Sequence, residues 1–416
     1  GAANNRTLAA LGSVLTSLAD KQENPDKKRF IPYRDSKLTH ILQNALGGNS
    51  KTVMLCTVSP ADANHDETLS TLRYASRCRL IKNKPEITDK ADAEIQVLKE
   101  EHANVKELFA NLGPPDERLA KYKTFEELEA MALRKGDGVS VRVRVRPFSQ
   151  NEDDDAEKKL IVNMNGNNTN LVHPQDGSQN SFTFEACYWS FDGYSQRADG
   201  YLEPAGEGMG TNGATYADQA AVFEDVGKSM IQETLNGFNT CVFAYGETGT
   251  GKNYTMQGDG ANAGLVPVVC EELFSHIEAK KAAPGGDKLQ FQVSVQVLVI
   301  YLEKVLDLFA KENPKNGLKV RSKPGVGVVV EGLTEWPVWS VVEAQERIET
   351  AYKNRTASNM QRSHLMVTLN VTRVELNADG QGDTAEQKST MNLVTLAGSE
   401  RNRANDADRM KEGAAN

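Results

Sequence analysis

The sequence predicts an α/β fold in which a central mixed, mostly parallel sheet carries helices on both faces. A short apolar run rich in β-branched residues, 52–58, has the composition of a buried strand, and the alternating run 139–145 has the pattern of a strand. They alternate with stretches in which apolar residues recur at helical spacing. A further strand-like run, residues 240–245, leads directly into the glycine-rich stretch 246–253, which a helix is expected to follow.

Residues 1–85 form the first of three predicted segments. The pattern predicts a helix, a loop, a second helix, a strand and a third helix. The first helix is marked by leucines at helical spacing: Leu8, Leu11, Leu15 and Leu18. Residues 47–49, Gly-Gly-Asn, end the second helix, and Asp66 begins the third.

Residues 86–137 form the second segment, a linker followed by an amphipathic helix. Five apolar residues and one histidine recur there with heptad spacing: Ile95, Leu98, His102, Val105, Phe109 and Leu112. Two interpretations are open, a helix packed on its own domain or a weak dimer formed through residues 95–112. The seam is shorter than three heptads, which favours the packed helix.

Residues 138–416 form the third segment, where strands and helices alternate as in an α/β fold. The chain has a net charge of −9, which argues against a nucleic-acid partner. Residues 1–84 nevertheless hold 13 Lys/Arg and 7 Asp/Glu, a local balance of +6, so this part is expected to face an acidic partner. Five scattered cysteines, the absence of a long apolar span and a polar start predict a cytoplasmic chain without membrane contact.

The stretch 246–252 has the pattern G-x-x-x-x-G-K, which binds phosphate in proteins when a strand precedes it. Its glycines let backbone N–H groups surround phosphate oxygens, and Lys252 would reach the outer phosphates. The competing interpretation is a structural glycine-rich turn. The residues predicted to bind nucleotide are Gly246, Glu247, Thr248, Gly249, Thr250, Gly251, Lys252, Asn253 and Tyr254.

Several stretches together resemble the kinesin motor family. The likeness covers roughly residues 1–112 and 138–416, and residues 188–190 and 264–267 are most like the third, organelle-transporting class. The stretches are residues 243–256 (FAYGETGTGKNYTM, the phosphate loop), 144–148 (RVRPF), 359–364 (NMQRSH, switch I), 396–401 (LAGSER, switch II), 31–39 (IPYRDSKLT) and 66–75 (DETLSTLRYA).

The resemblance implies a P-loop nucleoside-triphosphatase fold that binds ATP with Mg²⁺ and docks on microtubules. Its implied catalytic residues are Lys252, Gly398 and the switch pair Arg362 and Glu400, whereas His364 is expected to be structural. Arg144, Arg146 and Pro147 are implied to lie beside the adenine. The implied tubulin contacts are Lys27, Lys28, Arg29, Tyr33, Arg34, Lys37, Arg401 and Arg403.

Three departures from the family pattern fall on the implied Mg²⁺ site. Asn253 replaces the hydroxyl residue of the phosphate loop, Gln361 precedes Arg362 where serines are usual, and Thr395 replaces an Asp. Together they predict weakened metal binding at Asn253 and Thr395. Leu302 also replaces a usual Asn after residues 300–301. Two functions stay open: an ATP-driven microtubule motor, and a nucleotide- and microtubule-binding module without motility.

The two halves of the motor pattern stand in swapped order. In the family the phosphate-loop half comes first, whereas here the chain ends EGAAN and begins GAAN. A circular permutation would let one complete fold close, with residues 86–137 returning the chain to the first strand. The competing interpretation is a fragment that spans the end of one motor and the start of another.

Overall fold

A computed structural model describes residues 2–23, 30–89, 138–155, 157–323, 327–357, 362–376 and 383–400. Several predictions fall outside these residues. They concern the helix and dimer seam of the second segment, Gln361, and five of the proposed tubulin contacts: Lys27, Lys28, Arg29, Arg401 and Arg403.

The central sheet has the strand order β14-β13-β18-β19-β10-β1-β3-β7. Its strands are β1 (Lys51–Val58), β3 (Ser140–Val145), β7 (Ala186–Trp189), β10 (Thr240–Tyr245), β13 (Leu289–Tyr301), β14 (Lys304–Asp307), β18 (His364–Leu376) and β19 (Asp383–Thr395). Pairing is parallel from β19 to β7 and antiparallel from β14 to β19. Six of these eight strands therefore point the same way, which confirms the predicted mixed, mostly parallel sheet.

Shorter strands lie at the edges or form separate hairpins. Both β2 (Thr88–Asp89) and β17 (Trp336–Val338) pair with the central sheet, the first at β19 and the second at β13. The small sheets are built from β4 (Val162–Asn165), β5 (Asn168–Val172), β6 (Gln179–Thr183), β8 (Tyr194–Gln196), β9 (Leu202–Pro204), β11 (Gly258–Asp259), β12 (Asn262–Ala263), β15 (Lys319–Lys323) and β16 (Gly327–Glu331).

Helices cover both faces of the sheet, as predicted. They are α1 (Ala2–Glu23), α2 (Lys37–Ile41), α3 (His65–Cys78), α4 (Gln150–Asp153), α5 (Gln219–Val222), α6 (Lys228–Leu235), α7 (Lys252–Met256), α8 (Leu265–Ala282) and α9 (Val341–Ala357). Buried residues of α1, α2 and α3 join one apolar core, and those of α6, α8 and α9 join the other. Within the described ranges, no helix combines the length and apolar character needed to cross a membrane.

The first segment supplies a strand at the centre of the sheet. Strand β1 pairs in parallel with β10 on one side and with β3 on the other, so that Leu55 lies between Ala244 and Arg142. Leu55 is fully buried, in keeping with the apolar, β-branched composition that predicted this strand. The first and third segments therefore share one sheet.

The described residues on either side of residues 90–137 make β-type contacts. Strand β2, near the start of the second segment, pairs with β19, and Gly138, just after that segment, forms a β-bridge with Lys82. The Val139 N–H then donates to Ile81 O at 2.9 Å. The start of the second segment is thus paired with β19, and residues 138–139, just before β3, are paired with residues 81–82.

Candidate functional site

The glycine-rich loop of residues 246–251, called the phosphate loop below, follows the fully buried strand β10. Three of its glycines have positive φ: Gly246 (156°), Gly249 (81°) and Gly251 (99°). A Cβ on Gly246 would lie 2.3 Å from Thr57 O, so β1 packs too closely for any larger residue there. The loop then ends at Gly251, directly before α7. This chain path is the one expected of a phosphate-binding loop.

Lys252, the first residue of α7, is folded back over the phosphate loop. Its Nζ donates to Gly246 O at 2.8 Å and to Glu247 O at 2.7 Å, and only 7% of the residue is exposed. Burial lowers the pKa of Lys252 to about 8, against the opposing charges of Glu400 and Glu247. The ammonium group therefore lies inside the loop, with a charge that depends on pH in the neutral-to-alkaline range.

The segment after β19 closes over the start of the phosphate loop. Leu396 N–H donates to Ala244 O at 3.1 Å, and Ser399 N–H donates to Gly246 O at 3.0 Å. Glu400 then accepts hydrogen bonds from the Thr248 backbone N–H at 2.9 Å and from its hydroxyl at 2.6 Å. The predicted site residues Gly398 and Glu400 are thus brought onto the loop that holds Lys252.

Arg146 contacts the second half of the phosphate loop. Its Nε donates to Gly249 O at 2.6 Å, and its Nη1 and Nη2 contact the Glu152 carboxylate at 2.5 and 2.8 Å. Burial alone would raise the pKa of Glu152, but the hydrogen bonds from Arg146 and from the Ser149 N–H outweigh it and lower the pKa to about 2. Glu152 was missed from the sequence, although the capping-box spacing S-x-x-E from Ser149 would have indicated it.

Arg144 lies beneath the site and is only 3% exposed. Its guanidinium donates to Ser190 Oγ at 2.9 Å, to Gln219 Oε1 at 2.7 Å and to Thr255 Oγ1 at 3.1 Å. The guanidinium also lies 5.4 Å from the ring centre of Tyr254. Arg144 therefore joins β3, α5 and α7 through buried contacts, whereas Pro147 and Tyr254 are half-buried. The adenine contacts of these residues stay a prediction.

The residues at the implied Mg²⁺ positions do not form a ligand set for that ion. Asn253 is exposed on α7, and Thr395 is 4% exposed at the end of β19. Neither carries the carboxylate that Mg²⁺ sites in proteins commonly use. In the described part of the chain, no group of three or more His, Cys, Asp or Glu residues could hold a metal ion. The protein residues thus fit a phosphate group but do not fit Mg²⁺.

The switch I region is anchored by a buried arginine that the sequence did not single out. Arg355, 7% exposed on α9, donates from Nε to Ser363 Oγ at 3.2 Å and from Nη2 to Ser363 O at 3.0 Å. The next residue, His364, accepts at Nδ1 from Ala397 N–H at 3.1 Å, which is a structural role. Arg362 is exposed beside them, and its pairing with Glu400 stays a prediction.

The proposed tubulin-facing residues lie around α2. Arg34 is exposed, while Tyr33 donates to Leu46 O at 2.5 Å, and burial raises its pKa to about 12. The Lys37 N–H, at the start of α2, donates to the Glu303 carboxylate at 2.9 Å. The hairpin of β15 and β16 packs against α2, with His40 Nε2 and Ser322 Oγ at 3.0 Å. It adds three exposed cations that the sequence did not suggest: Lys319, Arg321 and Lys323.

Comparison with known proteins gives a consistent result. The family model described as the kinesin motor domain matches residues 1–81 and 144–416. The chain is similar to kinesin-like protein KIF28 of Rattus norvegicus, with 36% identity over 70% of this chain and 27% of that protein. It is also similar to kinesin-related protein 1 of Dictyostelium discoideum, with 35% identity over 66% of this chain and 12% of that protein. The matched region is thus about a quarter or less of these relatives' length.

Solved structures agree. A KIF14 dimer with AMP-PNP in complex with a microtubule is similar at a TM-score of 0.54 and 32% identity, over 66% of this chain and 73% of that chain. KIF14 with ADP in complex with a microtubule has a TM-score of 0.53 and 31% identity, over 66% of this chain and 74% of that chain.

Proposed function

Because this chain belongs to the kinesin motor-domain family, we propose that it binds ATP at the phosphate loop and docks on microtubules, with slow hydrolysis. The observation that carries the proposal is the closed phosphate site: Lys252 lies inside the loop, and Ser399 N–H donates to Gly246 O at 3.0 Å. A site of this kind brings the switch II segment within reach of a bound phosphate.

Microtubule docking is supported by charge and by the neighbours. The exposed Arg34, the half-buried Lys37 at the start of α2 and the exposed cations of the β15–β16 hairpin form a basic surface, which suits an acidic partner such as tubulin. The two KIF14 structures are themselves complexes with microtubules. A microtubule-associated, cytoplasmic location follows from this proposal.

Slow hydrolysis is supported by the chemistry of two positions. At the implied metal positions, α7 carries the amide of Asn253 where the family has a hydroxyl. Strand β19 ends in Thr395 where the family has a carboxylate. When bound, Mg²⁺ neutralises charge that develops on the phosphates during transfer. Lys252 remains as a cation inside the loop. Its single charge can hold phosphates but neutralises less of their negative charge than Mg²⁺ and Lys252 would together.

A second candidate function is a full motor that couples hydrolysis to movement along microtubules. The contacts of Ser399 and Glu400 with the phosphate loop favour it, because such contacts can transmit the state of the nucleotide. We further propose that the halves are circularly permuted. The position of β1 between β10 and β3 of the same chain supports permutation over a fragment of two motors. A weak dimer through residues 95–112 stays a prediction.

Steady-state ATPase measurement with Mg²⁺, with and without microtubules, tests the proposal together with co-sedimentation. Binding to both ligands with little turnover is expected. Strong stimulation by microtubules would favour the full motor instead, and failure to bind nucleotide would remove both candidates.

Light scattering tests the permutation, since a folded monomer is expected and a fragment that borrows β1 from another copy would be oligomeric.

A further inference from the structure

The phosphate loop has two halves with different surroundings. In the second half, a Cβ on Gly249 meets nothing within 4 Å, and one on Gly251 meets only the Arg146 Cβ at 4.0 Å. In the first half, the Thr248 N–H is already bonded to Glu400. The space beside Gly249 and Gly251 is therefore open, whereas an anion at the Thr248 N–H meets a protein carboxylate.

Glu400 accepts hydrogen bonds from both polar donors of Thr248. One carboxylate oxygen accepts the backbone N–H at 2.9 Å, and the other accepts the hydroxyl at 2.6 Å. This approach requires glycine at position 398, since a Cβ there would lie 2.1 Å from Thr248 Oγ1 and 2.2 Å from Glu400 Oε2. The Glu400 carboxylate therefore fits against Thr248 because residue 398 has no side chain.

Glu400 is also an anion at neutral pH. Burial alone would raise the pKa of Glu400, but the hydrogen bonds from Thr248 outweigh burial and lower the pKa. The charge on Lys252 acts in the same direction. A further negative group placed at Thr248 would thus face a like charge.

A second carboxylate of the loop offers a natural comparison. Glu247 also acts electrostatically on Lys252, but its Oε2 accepts from Asn64 Nδ2 at 2.7 Å, at the start of α3. The two carboxylates therefore contribute the same charge near Lys252. They differ in that Glu400 accepts the hydrogen bond of the Thr248 N–H, whereas Glu247 accepts from Asn64.

We propose that Glu400 makes this site selective for nucleoside diphosphates over triphosphates by occupying the place of the terminal phosphate. The inference rests on the proposed function, namely nucleotide binding at the phosphate loop. A diphosphate on the open half leaves the contact between Glu400 and Thr248 intact. A triphosphate has to break that charge-assisted contact, which is expected to weaken its binding relative to the diphosphate by about tenfold.

The test is titration of the whole chain with ADP and with a non-hydrolysable ATP analogue at fixed salt and pH. Dissociation constants are measured for the wild type, Glu400→Gln and Glu247→Gln, after thermal melting has shown that each variant is folded. The wild type is expected to prefer ADP by about tenfold. In Glu400→Gln the preference is expected to fall towards unity, because the charge is lost. Glu247 lies in the predicted nucleotide-binding loop, so Glu247→Gln is expected to change the affinity for both nucleotides alike and to keep the preference.

Three outcomes would overturn the inference while leaving nucleotide binding in place. They are an unchanged preference in Glu400→Gln, an equal loss of preference in Glu247→Gln, and a wild type that binds the triphosphate as tightly as ADP. The second would show that net charge near Lys252 matters and that occupation of Thr248 does not. A wild type that binds neither nucleotide would remove the proposed function itself, and this inference with it.

Discussion

The Nδ1 atom of His364 accepts a hydrogen bond from the backbone N–H of Ala397 at 3.1 Å. His364 is the first residue of β18 and Ala397 follows β19, so one buried contact joins the segment after α9 to the segment that closes the phosphate loop. Acceptance at Nδ1 requires an unprotonated Nδ1. The contact therefore depends on a neutral imidazole at this position.

Replacing His364 with Ala is expected to lower the free energy of unfolding by about 1–3 kcal/mol, because the buried Ala397 N–H loses its acceptor. Replacing it with Asn keeps an acceptor at a similar distance and is expected to cost less. Chemical denaturation measures both. Equal losses in the two variants would mean that lost packing, and not the hydrogen bond, accounts for the effect.

The same residue predicts acid sensitivity. Burial, followed by the charges of Lys252 and Arg355, lowers the pKa of His364 to about 3. Below about pH 6.5 the unfolded chain takes up a proton that the folded chain does not, so unfolding becomes easier as pH falls from about 6.5 towards 3. In His364→Asn the decrease of the unfolding free energy between about pH 6.5 and pH 3 is expected to be smaller by this contribution. A pH series of denaturation curves with identical slopes for both proteins would contradict the assignment.

Nucleotide affinity is expected to depend on pH through Lys252. Since its pKa in the free protein is about 8, the ammonium loses its proton as pH rises above that value, while a bound phosphate favours the charged form. The dissociation constant of ADP should be flat below pH 8 and then rise by up to about tenfold per unit. Lys252→Arg, which stays charged, should bind with little pH dependence. A flat wild-type profile up to pH 9.5 would exclude this role for Lys252.

Replacing Leu302 with Asn is expected to stabilise the protein by about 1 kcal/mol. Leu302 and Glu303 form the two-residue turn between β13 and β14 and have φ of 50° and 60°, a left-handed conformation that Asn adopts more readily than Leu. Leu302 is 50% exposed, so little packing is lost. Leu302→Ala keeps the Cβ strain and serves as the control. Equal unfolding free energies for the Asn and Ala variants would show that strain is not relieved.

Reversing the charges at α2 is expected to weaken microtubule binding. The double change Arg34→Glu and Lys37→Glu should raise the dissociation constant about fivefold in low salt, and less in high salt, because exposed charges are screened. Lys353→Glu on α9, on the opposite face of the sheet, is the matched control and should bind normally. Co-sedimentation over a salt series measures all three proteins. Equal weakening by the control would point to net charge as the cause.

The local parts of the fold and site were predictable from the sequence. The strand β10, the loop from Gly246 and Lys252 follow one another directly, so their composition alone indicated a phosphate site. The leucine spacing of α1 and the β-branched run of β1 were equally clear. Such signals are carried by neighbouring residues, and here tertiary packing agrees with them.

The contacts that hold the site together were not predictable in the same way. Glu400 and Thr248 are 152 positions apart, and Glu303 and the Lys37 N–H are 266 apart. No periodicity links residues at such separations. Arg144 shows a different limit, since a cation in a strand suggests an exposed position, yet neutral oxygens of Ser190, Gln219 and Thr255 satisfy it in the interior.

The central position of β1 has a consequence for the order in which the protein can fold during synthesis. The ribosome completes β1 at Val58, but its two sheet neighbours end at Val145 and Tyr245. An apolar strand that belongs in the middle of the sheet therefore keeps both edges unpaired until β3 has been made, and one edge unpaired until β10 has been made. Such long-range pairing slows folding and leaves unpaired strand edges open to aggregation. Chaperones that bind nascent chains should thus matter more for this protein than for one that makes its central strands consecutively.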